Sequence, residues 1–331
     1  MVPTFEWLKS FEINRTDIHD LLCESRVFKS EEEINYIRLA NRITSEAHIE
    51  CMRKVRPGMR ESGLEAIFRG YCMIKYNCRL TPYPCICACG PNPATLHYFN
   101  NSDVLPDVMM CLTDMGHSVH KYGADITTSY PTNGKFTEKQ RQIYEIVLRA
   151  NRQVMAKIKE GVSWVDMHML AERVILSGLL ELGIVKGDIE EMVEKRIAFL
   201  FMPHGVGHLI GLDTHDVGGY LAKDPPRILK PGLKNLRTAR TLKEGMVITV
   251  EPGCYFIDFL LQGKAPVEID ISYVNVELAM EYRKEVAGVR IEDNVVVRKD
   301  GAELLTTVPR GVNQIEACMR GEEWEHIKEE Y

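Results

Sequence analysis

The stretch that decides the fold runs from residue 109 to residue 130 and reads MMCLTDMGHSVHKYGADITTSY. Its two ends, Met109–Met115 and Ala124–Tyr130, are rich in apolar and β-forming residues, whereas the segment around His117–Tyr122 is polar. This pattern predicts two buried strands that a turn folds onto each other. Asp114 lies at the end of the first apolar run and Asp125 at the start of the second. The predicted hairpin therefore brings two carboxylates close together.

These two aspartates are the first candidates for a functional site. Either carboxylate alone would more often be a residue that caps a turn at a strand end. Two of them in one hairpin, each beside an apolar strand, instead indicate a ligand pair, because buried like charges need a compensating cation. We therefore predict that Asp114 and Asp125 bind a cation.

Helices and further strands flank the hairpin on both sides. Two capping boxes, Ser30 with Glu33 and Thr137 with Gln140, mark the starts of long helices. Apolar periodicity predicts the following helices: residue 30 to the Pro57-Gly58 stop, Ser62–Tyr76, residue 137 to about Lys159, Ser163–Leu182 and Asp188–Arg196. Further strands are predicted at Tyr83–Cys89, Thr95–Phe99, Met246–Val250, Cys254–Ile257 and Val289–Val297. This order predicts an α+β fold with two comparable halves.

Composition excludes several classes of protein. The 331 residues are 45% hydrophobic and 27% charged, and 41 basic against 47 acidic residues give a net charge of −6. So much apolar material excludes a disordered chain, and mild acidity without a basic tail argues against nucleic-acid binding. No apolar run approaches the roughly 18 residues that cross a bilayer, and Met1–Asn14 lacks the apolar core of an export signal. We therefore expect a cytoplasmic protein with no nucleic-acid or membrane partner.

Ten cysteines raise the question of disulfides or a zinc site. The run Cys85-Ile86-Cys87-Ala88-Cys89 has the wrong spacing for a zinc knuckle, which needs two residues between thiolates. Its alternation predicts a buried strand with three small side chains on one face. Reduced thiols agree with a cytoplasmic location.

Two glutamates interrupt apolar strands in the C-terminal third. Glu251 follows Met246–Val250, and Glu292 follows Val289-Arg290-Ile291. A carboxylate at the end of a buried strand is costly unless it binds a partner. A salt bridge to Arg290 is the simpler interpretation of Glu292 taken alone.

Three histidines lie close together beside glycines. His204 and His208 belong to the segment Pro203-His204-Gly205-Val206-Gly207-His208, and His215 follows soon after. A single such histidine would more often be a core or surface residue, but three beside flexible glycine turns indicate a metal or proton-transfer site. The same region opens the long loop Asp213–Thr241, and a loop of that length in a compact domain is usually functional.

Together these residues provide four carboxylates and at least one imidazole. Two divalent cations would neutralise the four carboxylates, and oxygen-rich ligation with one nitrogen is typical of Mn²⁺, with Co²⁺, Zn²⁺ or Fe²⁺ as alternatives. Two ions about 3.5–4 Å apart can bridge a water and lower its pKa, which provides hydroxide near neutral pH. Such a centre can hydrolyse a carbonyl or phosphoryl bond.

The sequence resembles the pita-bread metallopeptidases, and among them the eukaryotic-type Xaa-Pro dipeptidases (prolidases), from about Arg26 to Met319. Seven segments in order carry the resemblance, and each is weak alone: Met110–Gly116, Asp125–Thr127, Pro203–His208, His215–Tyr220, Arg237–Arg240, Val250–Gly253 and Val289–Glu292. The resemblance implies a fold of two pseudo-symmetric halves around a curved antiparallel sheet.

The resemblance also implies roles for particular residues. The family's five metal ligands fall on Asp114, Asp125, His208, Glu251 and Glu292. Positions near the substrate fall on His204, His215, His97 and Tyr83, and Arg237 matches the guanidinium that holds the substrate's C-terminal carboxylate. Without the family match, Arg237 would be taken for part of a solvated basic loop.

The implied reaction is hydrolysis of Xaa-Pro dipeptides by a metal-bridging hydroxide. Glu251 would relay a proton to the leaving nitrogen, while His215 and His97 would stabilise the developing oxyanion. Arg237 would set the substrate length, because a free carboxylate one residue past the cut defines a dipeptide.

Three alternatives and one domain assignment accompany this expectation. The same site would suit an aminopeptidase P or a methionine aminopeptidase, although the Arg237 loop favours a dipeptidase over the latter. A catalytically weak binding module of the same fold is the third alternative. We expect residues 1–29 to be the end of a largely absent N-terminal domain with its linker, and residues 30–331 to be the catalytic domain. Loss of that N-terminal domain would weaken an expected homodimer.

Overall fold

The computed structural model describes residues 5–11, 17–265 and 267–324. Its α-helices in these ranges, α1 to α9 in chain order, are Asp17–Val27, Glu31–Lys54, Glu61–Tyr76, Glu138–Met155, Trp164–Glu181, Ile189–Glu194, Asp258–Leu261, Val276–Arg283 and Val312–Met319. The strands β1 to β10 are Ile86–Cys89, Met110–Asp114, Ser118–Val119, Tyr122–Gly123, Thr127–Pro131, Val247–Val250, Gly253–Tyr255, Gly288–Arg290, Asp293–Val297 and Ala302–Leu304. Part of the predicted N-terminal segment, residues 1–4 and 12–16, lies outside this description.

Both capping boxes form as predicted and start the helices α2 and α4. The Ser30 hydroxyl accepts from the backbone N–H of Glu33, whose carboxylate accepts from the N–H of Ser30 in return. Thr137 and Gln140 make the same reciprocal pair. Each of these helices packs against the helix that follows it, α2 on α3 and α4 on α5. The two halves of the chain therefore begin alike, with a helix pair that covers the strands.

The strands form small antiparallel sheets rather than one long one. β2 pairs with β1 and β5, with Asp114 opposite Thr127. β9 pairs with β6 and β10, with Asp293 opposite Val250. The short hairpin β3–β4 connects β2 to the β5 segment, as the polar turn predicts. The N–H of Glu292 donates to the carbonyl of Thr127 at 3.2 Å and joins the two halves at the strand ends.

The cysteines behave as the alternation predicts. Cys85, Cys87 and Cys89 are buried in the main hydrophobic core, whereas Ile86 and Ala88 pack in a separate cluster on the opposite face of β1. All ten cysteines are free thiols. No helix of the described ranges has both the length and the apolarity needed to cross a bilayer.

The predicted strand Thr95–Phe99 is wrong. The segment is a turn that follows a short 3₁₀ helix at Asn92–Ala94. The cause is the buried carboxylate of Glu61, which accepts from the Tyr98 hydroxyl at 2.7 Å and from the N–H of Asp103 at 3.0 Å. These contacts hold the segment against α3, and this tertiary interaction overrides the local β propensity.

Two other elements differ from the prediction. Helix α1 lies in a region without a clear apolar pattern, because it buries only Cys23 and Val27 and is attached mainly by ion pairs. Glu24 pairs with Arg240 at 2.8 Å and Arg26 with Asp216 at 2.6 Å. The predicted strand Val289–Val297 is two strands, since Gly288–Arg290 pairs with β7 and Asp293–Val297 with β6. Glu292 lies at the break between them.

Arg310 connects the strand ends on the two sides of this break, so its substitution tests the fold. Its buried guanidinium donates to the carbonyls of Thr127 and Glu292 and to the carboxylate of Asp293, whose side chain is 1% exposed. We expect Arg310→Met to lower the free energy of unfolding by about 3 kcal/mol, because it leaves a buried charge short of its main partner. Chemical denaturation measures the change.

The matched control is Arg320→Met, which removes an exposed ion pair with Glu322. Such a surface pair contributes only about 0–1 kcal/mol. Equal losses of stability for the two variants would contradict the role assigned to Arg310.

Candidate active site

One cavity of about 400 Å³ brings the predicted site residues together. Nine of the ten line it: His97, Asp114, Asp125, His204, His208, His215, Arg237, Glu251 and Glu292. Tyr83 is the exception. Burial, together with the nearby carboxylates Asp114 and Asp125, raises the pKa of its phenol well above the ordinary value.

Strand ends position all four carboxylates. Asp114 is the last residue of β2, and Asp125 lies two residues before β5. Glu251 directly follows β6, and Glu292 lies between β8 and β9. Because the sheets of the two halves meet at these ends, residues far apart in the chain converge on one cavity.

His208 points its Nε2 atom at the carboxylates. Its Nδ1 lies 3.0 Å from the carbonyl of Leu209, which fixes the tautomer with the proton on Nδ1. Its Nε2 is then 3.5 Å from Asp125 Oδ2 and 3.4 Å from Glu251 Oε1. The preceding Gly207 is required here, because an added Cβ would lie 2.0 Å from the carbonyl oxygen of Thr249.

The crowded carboxylates shift one another's pKa values. Burial, and then the charge of Asp125, raises the pKa of Asp114 to about 7. Burial also raises the pKa of Glu251, and burial with the neighbouring carboxylates raises that of Glu292 well above its ordinary value. Burial opposes ionisation of Asp125 too, but the neighbouring His208, Tyr83 and His215 together outweigh this effect and lower its pKa. The cavity therefore disfavours four negative charges unless a cation joins them.

The donor atoms fit a divalent metal centre. Asp125, His208 and Glu292 each offer one ligand atom, and the three atoms lie within 4.8 Å of one another. Oδ1 of Asp114 and Oδ1 of Asp125 are buried without a hydrogen-bond partner in the described chain. Asp114 and Glu251 border the three-residue group, so all five predicted ligands face the same space. Oxygen donors with one imidazole nitrogen suit a first-row divalent ion.

Arg290 is the main functional residue that the sequence interpretation missed. The sequence suggests it only as a salt-bridge partner of Glu292, and that pairing is wrong. Its Nη2 donates instead to Asp114 Oδ2 at 2.8 Å, and its Nε donates at 3.1 Å to the Thr127 hydroxyl, which in turn donates to Glu292 Oε2 at 2.6 Å. Strand alternation could have indicated that Arg290 faces the site, because it lies two residues before Glu292 and alternate residues of a strand share a face.

The same arginine connects the carboxylates to His204. Arg290 Nη1 donates to the Tyr255 hydroxyl at 2.9 Å, and that hydroxyl lies 2.9 Å from His204 Nε2. His204 Nδ1 lies 2.8 Å from the carbonyl of Gly205, so Nδ1 donates there and Nε2 accepts from the tyrosine. Burial, and then the charge of Arg290, lowers the pKa of His204 to about 3, which keeps the ring neutral.

The remaining predicted residues lie on the open side of the cavity. The His215 ring contacts that of His208 edge-on, with 4.4 Å between centroids. The His97 ring stacks on Phe99 with 6.1 Å between centroids, in the turn that replaces the predicted strand. Arg237 is exposed on the cavity wall, and none of the described residues accepts a hydrogen bond from its guanidinium. These side chains are free to contact a ligand.

Comparison with known proteins places this site in a family. Metallopeptidase family M24 matches residues 35–299. Xaa-Pro dipeptidase of Mus musculus is 47% identical over 322 residues, which are 96% of this chain and 65% of the relative. The human Xaa-Pro dipeptidase matches with the same identity and coverage. The chain thus spans 65% of the length of these curated relatives.

Solved structures agree with the sequence match. Aminopeptidase PepP of Pseudomonas aeruginosa superposes with a TM-score of 0.77 at 35% identity, covering 91% of this chain and 61% of that one. Aminopeptidase P of Escherichia coli with the inhibitor Pro-Leu gives 0.77 at 35% identity, with coverages of 92% and 62%. The predicted pita-bread fold and the resemblance to Xaa-Pro dipeptidases are both confirmed. The chain belongs to metallopeptidase family M24.

Proposed function

We propose that this protein is a metal-dependent dipeptidase that hydrolyses Xaa-Pro dipeptides. The observation that carries the proposal is an uncommitted guanidinium, Arg237, on the wall of the cavity that holds the carboxylate and imidazole donors. An arginine fork is shaped for a carboxylate, and a free carboxylate beside the cleavage site is the mark of a short peptide. The 47% identity to Xaa-Pro dipeptidases supports the same assignment.

The family implies divalent metal ions, and we propose two, bound by Asp114, Asp125, His208, Glu251 and Glu292. We propose Mn²⁺ as the native ion because oxygen donors predominate, with Co²⁺, Zn²⁺ or Fe²⁺ as alternatives. When bound, such ions supply a water-derived nucleophile at neutral pH and polarise the scissile carbonyl.

The chain's own residues would then handle the proton and the substrate. The Thr249 hydroxyl donates to Glu251 Oε1 at 3.3 Å and steadies this carboxylate. Burial raises the pKa of Glu251. A carboxylate with a raised pKa suits the role of taking up a proton and returning it to the leaving nitrogen. His215 and His97, on the open side, and the more buried His204 are proposed to orient the substrate and stabilise the oxyanion, and Tyr83 to shape the pocket.

A related aminopeptidase is the second candidate. The structural neighbours are aminopeptidase P proteins, and fungal relatives at 40–41% identity are described as probable Xaa-Pro aminopeptidases. An aminopeptidase would cleave Xaa-Pro-Yaa peptides, in which the carboxylate lies farther from the cut. A binding module that has lost catalysis is less favoured, because all five ligand residues are present.

Location and assembly follow as proposals. The ten free cysteines support a reducing, cytoplasmic location. A homodimer stays a prediction.

The first test is hydrolysis of glycyl-proline by the Mn²⁺-loaded protein. We expect turnover that a chelator abolishes and Mn²⁺ restores, and little cleavage of a tripeptide such as glycyl-prolyl-alanine. Proline release measures both reactions. Absence of cleavage of every Xaa-Pro dipeptide at full metal occupancy would reject the proposal, and preferential tripeptide cleavage would favour the aminopeptidase.

The second test is Asp125→Asn, which removes a negative charge at nearly constant shape. We expect loss of bound metal, because this carboxylate lies within the group of three close donors. Metal analysis of the purified variant gives the stoichiometry. Asp300→Asn, at an exposed position, is the control and should keep full occupancy. Stoichiometric metal in the Asp125 variant would contradict the ligand assignment.

The third test is Arg237→Ala, measured with glycyl-proline and with its C-terminal amide. A charged hydrogen-bond pair contributes about 1.5–3 kcal/mol, so KM for the free dipeptide should rise by roughly ten- to a hundredfold. KM for the amide should stay nearly constant, because the amide has no carboxylate to lose. Equal effects on both substrates would remove the carboxylate-binding role.

A further inference from the structure

The loop that carries Arg237 has little regular structure of its own. Between Asp213 and Thr241, the regular element is a short 3₁₀ helix at Leu233–Asn235. A guanidinium that binds a ligand from such a loop must be held in place beforehand, or binding must offset the cost of ordering it. The contacts around Arg237 show how the loop is held.

Arg227 binds the backbone immediately before Arg237. Its Nη1 donates to the carbonyl of Leu236 at 2.6 Å and to the carbonyl of Lys234 at 2.9 Å. Its guanidinium lies over the ring of Tyr220, 4.1 Å from the centroid, and the Tyr220 hydroxyl donates to the same Leu236 carbonyl at 2.8 Å. Two donors therefore meet on the carbonyl that precedes Arg237.

Gly219 contacts the backbone on the C-terminal side of the Arg237 Cα. An added Cβ at Gly219 would lie 2.2 Å from the carbonyl oxygen of Arg237. The two backbone segments are thus in direct contact, which only glycine permits here. Gly219, Tyr220 and Arg227 together fix the backbone on both sides of the Arg237 Cα.

We propose that Arg227 is a positioning residue that presents Arg237 to the carboxylate of the substrate and so determines its specificity for free C-termini. The inference rests on the proposed function and adds a residue to it. Arg237 has no side-chain partner among the described residues, so its orientation depends on its backbone. Arg227 also lines the same cavity, so it lies close enough to Arg237 to act on it directly.

The test compares variants of the metal-loaded full chain with glycyl-proline and its amide. For Arg227→Met we expect KM for glycyl-proline to rise roughly tenfold, which corresponds to about 1.4 kcal/mol, with kcat within about twofold of the original. KM for the amide should not change. Arg227→Lys keeps the charge and a donor for the carbonyls, so it should recover part of the loss.

Two controls separate positioning from general effects. Lys234→Met removes a cation from the same cavity wall while leaving the Arg227 contacts to backbone oxygens in place, so it should leave KM nearly unchanged. Tyr220→Phe removes one of the two donors to Leu236 and keeps the ring, so it should raise KM in the same direction by less. Should Arg227→Met fold poorly, this milder variant still tests the proposal. A KM rise for Lys234→Met equal to that of Arg227→Met would overturn the proposal.

A double-mutant cycle shows whether Arg227 acts through Arg237. In the Arg237→Ala background, Arg227→Met should change KM no further, because the group that it positions is gone. Full additivity of the two effects would mean independent contributions and would also overturn the proposal.

Equilibrium binding distinguishes this inference from the proposed function. Calorimetric titration of the metal-loaded chain with L-proline and L-prolinamide measures the preference for a carboxylate without turnover. A preference that Arg227→Met reduces supports the inference even if no dipeptide is cleaved. The same preference in wild type and variant, or none in wild type, overturns it whatever the activity.

Discussion

Four carboxylates share one buried cavity, and this crowding of like charges is the constraint on which the rest of the structure depends. Asp114, Asp125, Glu251 and Glu292 repel one another, and burial removes the water that would otherwise stabilise them. The chain supplies only part of the compensation, through Arg290. The remaining negative charge favours the divalent cations that we propose for this cavity.

The scaffold meets this constraint by placing every carboxylate at or next to the end of a hydrogen-bonded strand. Arg310 and the cavity-lining Arg290 tie these strand ends together. Displacement of one strand would separate charged groups that are buried and cannot be solvated. The same rigidity keeps the donor atoms of a metal centre at fixed separations.

The side of the cavity that carries His215 and Arg237 is built differently. His215 and Arg237 come from a long irregular loop, which charges and backbone contacts hold in place rather than a sheet. Asp216, next to His215, binds Arg26 and Lys29 at 2.6 and 2.9 Å, and Arg227 binds the backbone before Arg237. Changes in the loop can therefore alter His215 and Arg237 without disturbing the donors of the proposed metal centre.

Local patterns in the sequence by themselves determined the helix starts and the hairpin that joins Asp114 to Asp125, because capping and apolar alternation act between near neighbours. The ordered motifs determined the family. Only the tertiary structure decided that Thr95–Phe99 is a turn, that Glu292 lies at a strand break and that Arg290 pairs with Asp114. It also decided that Arg227 binds the backbone carbonyl that precedes Arg237. These outcomes depend on buried charges and backbone oxygens from distant segments, and no local pattern encodes which of them will meet.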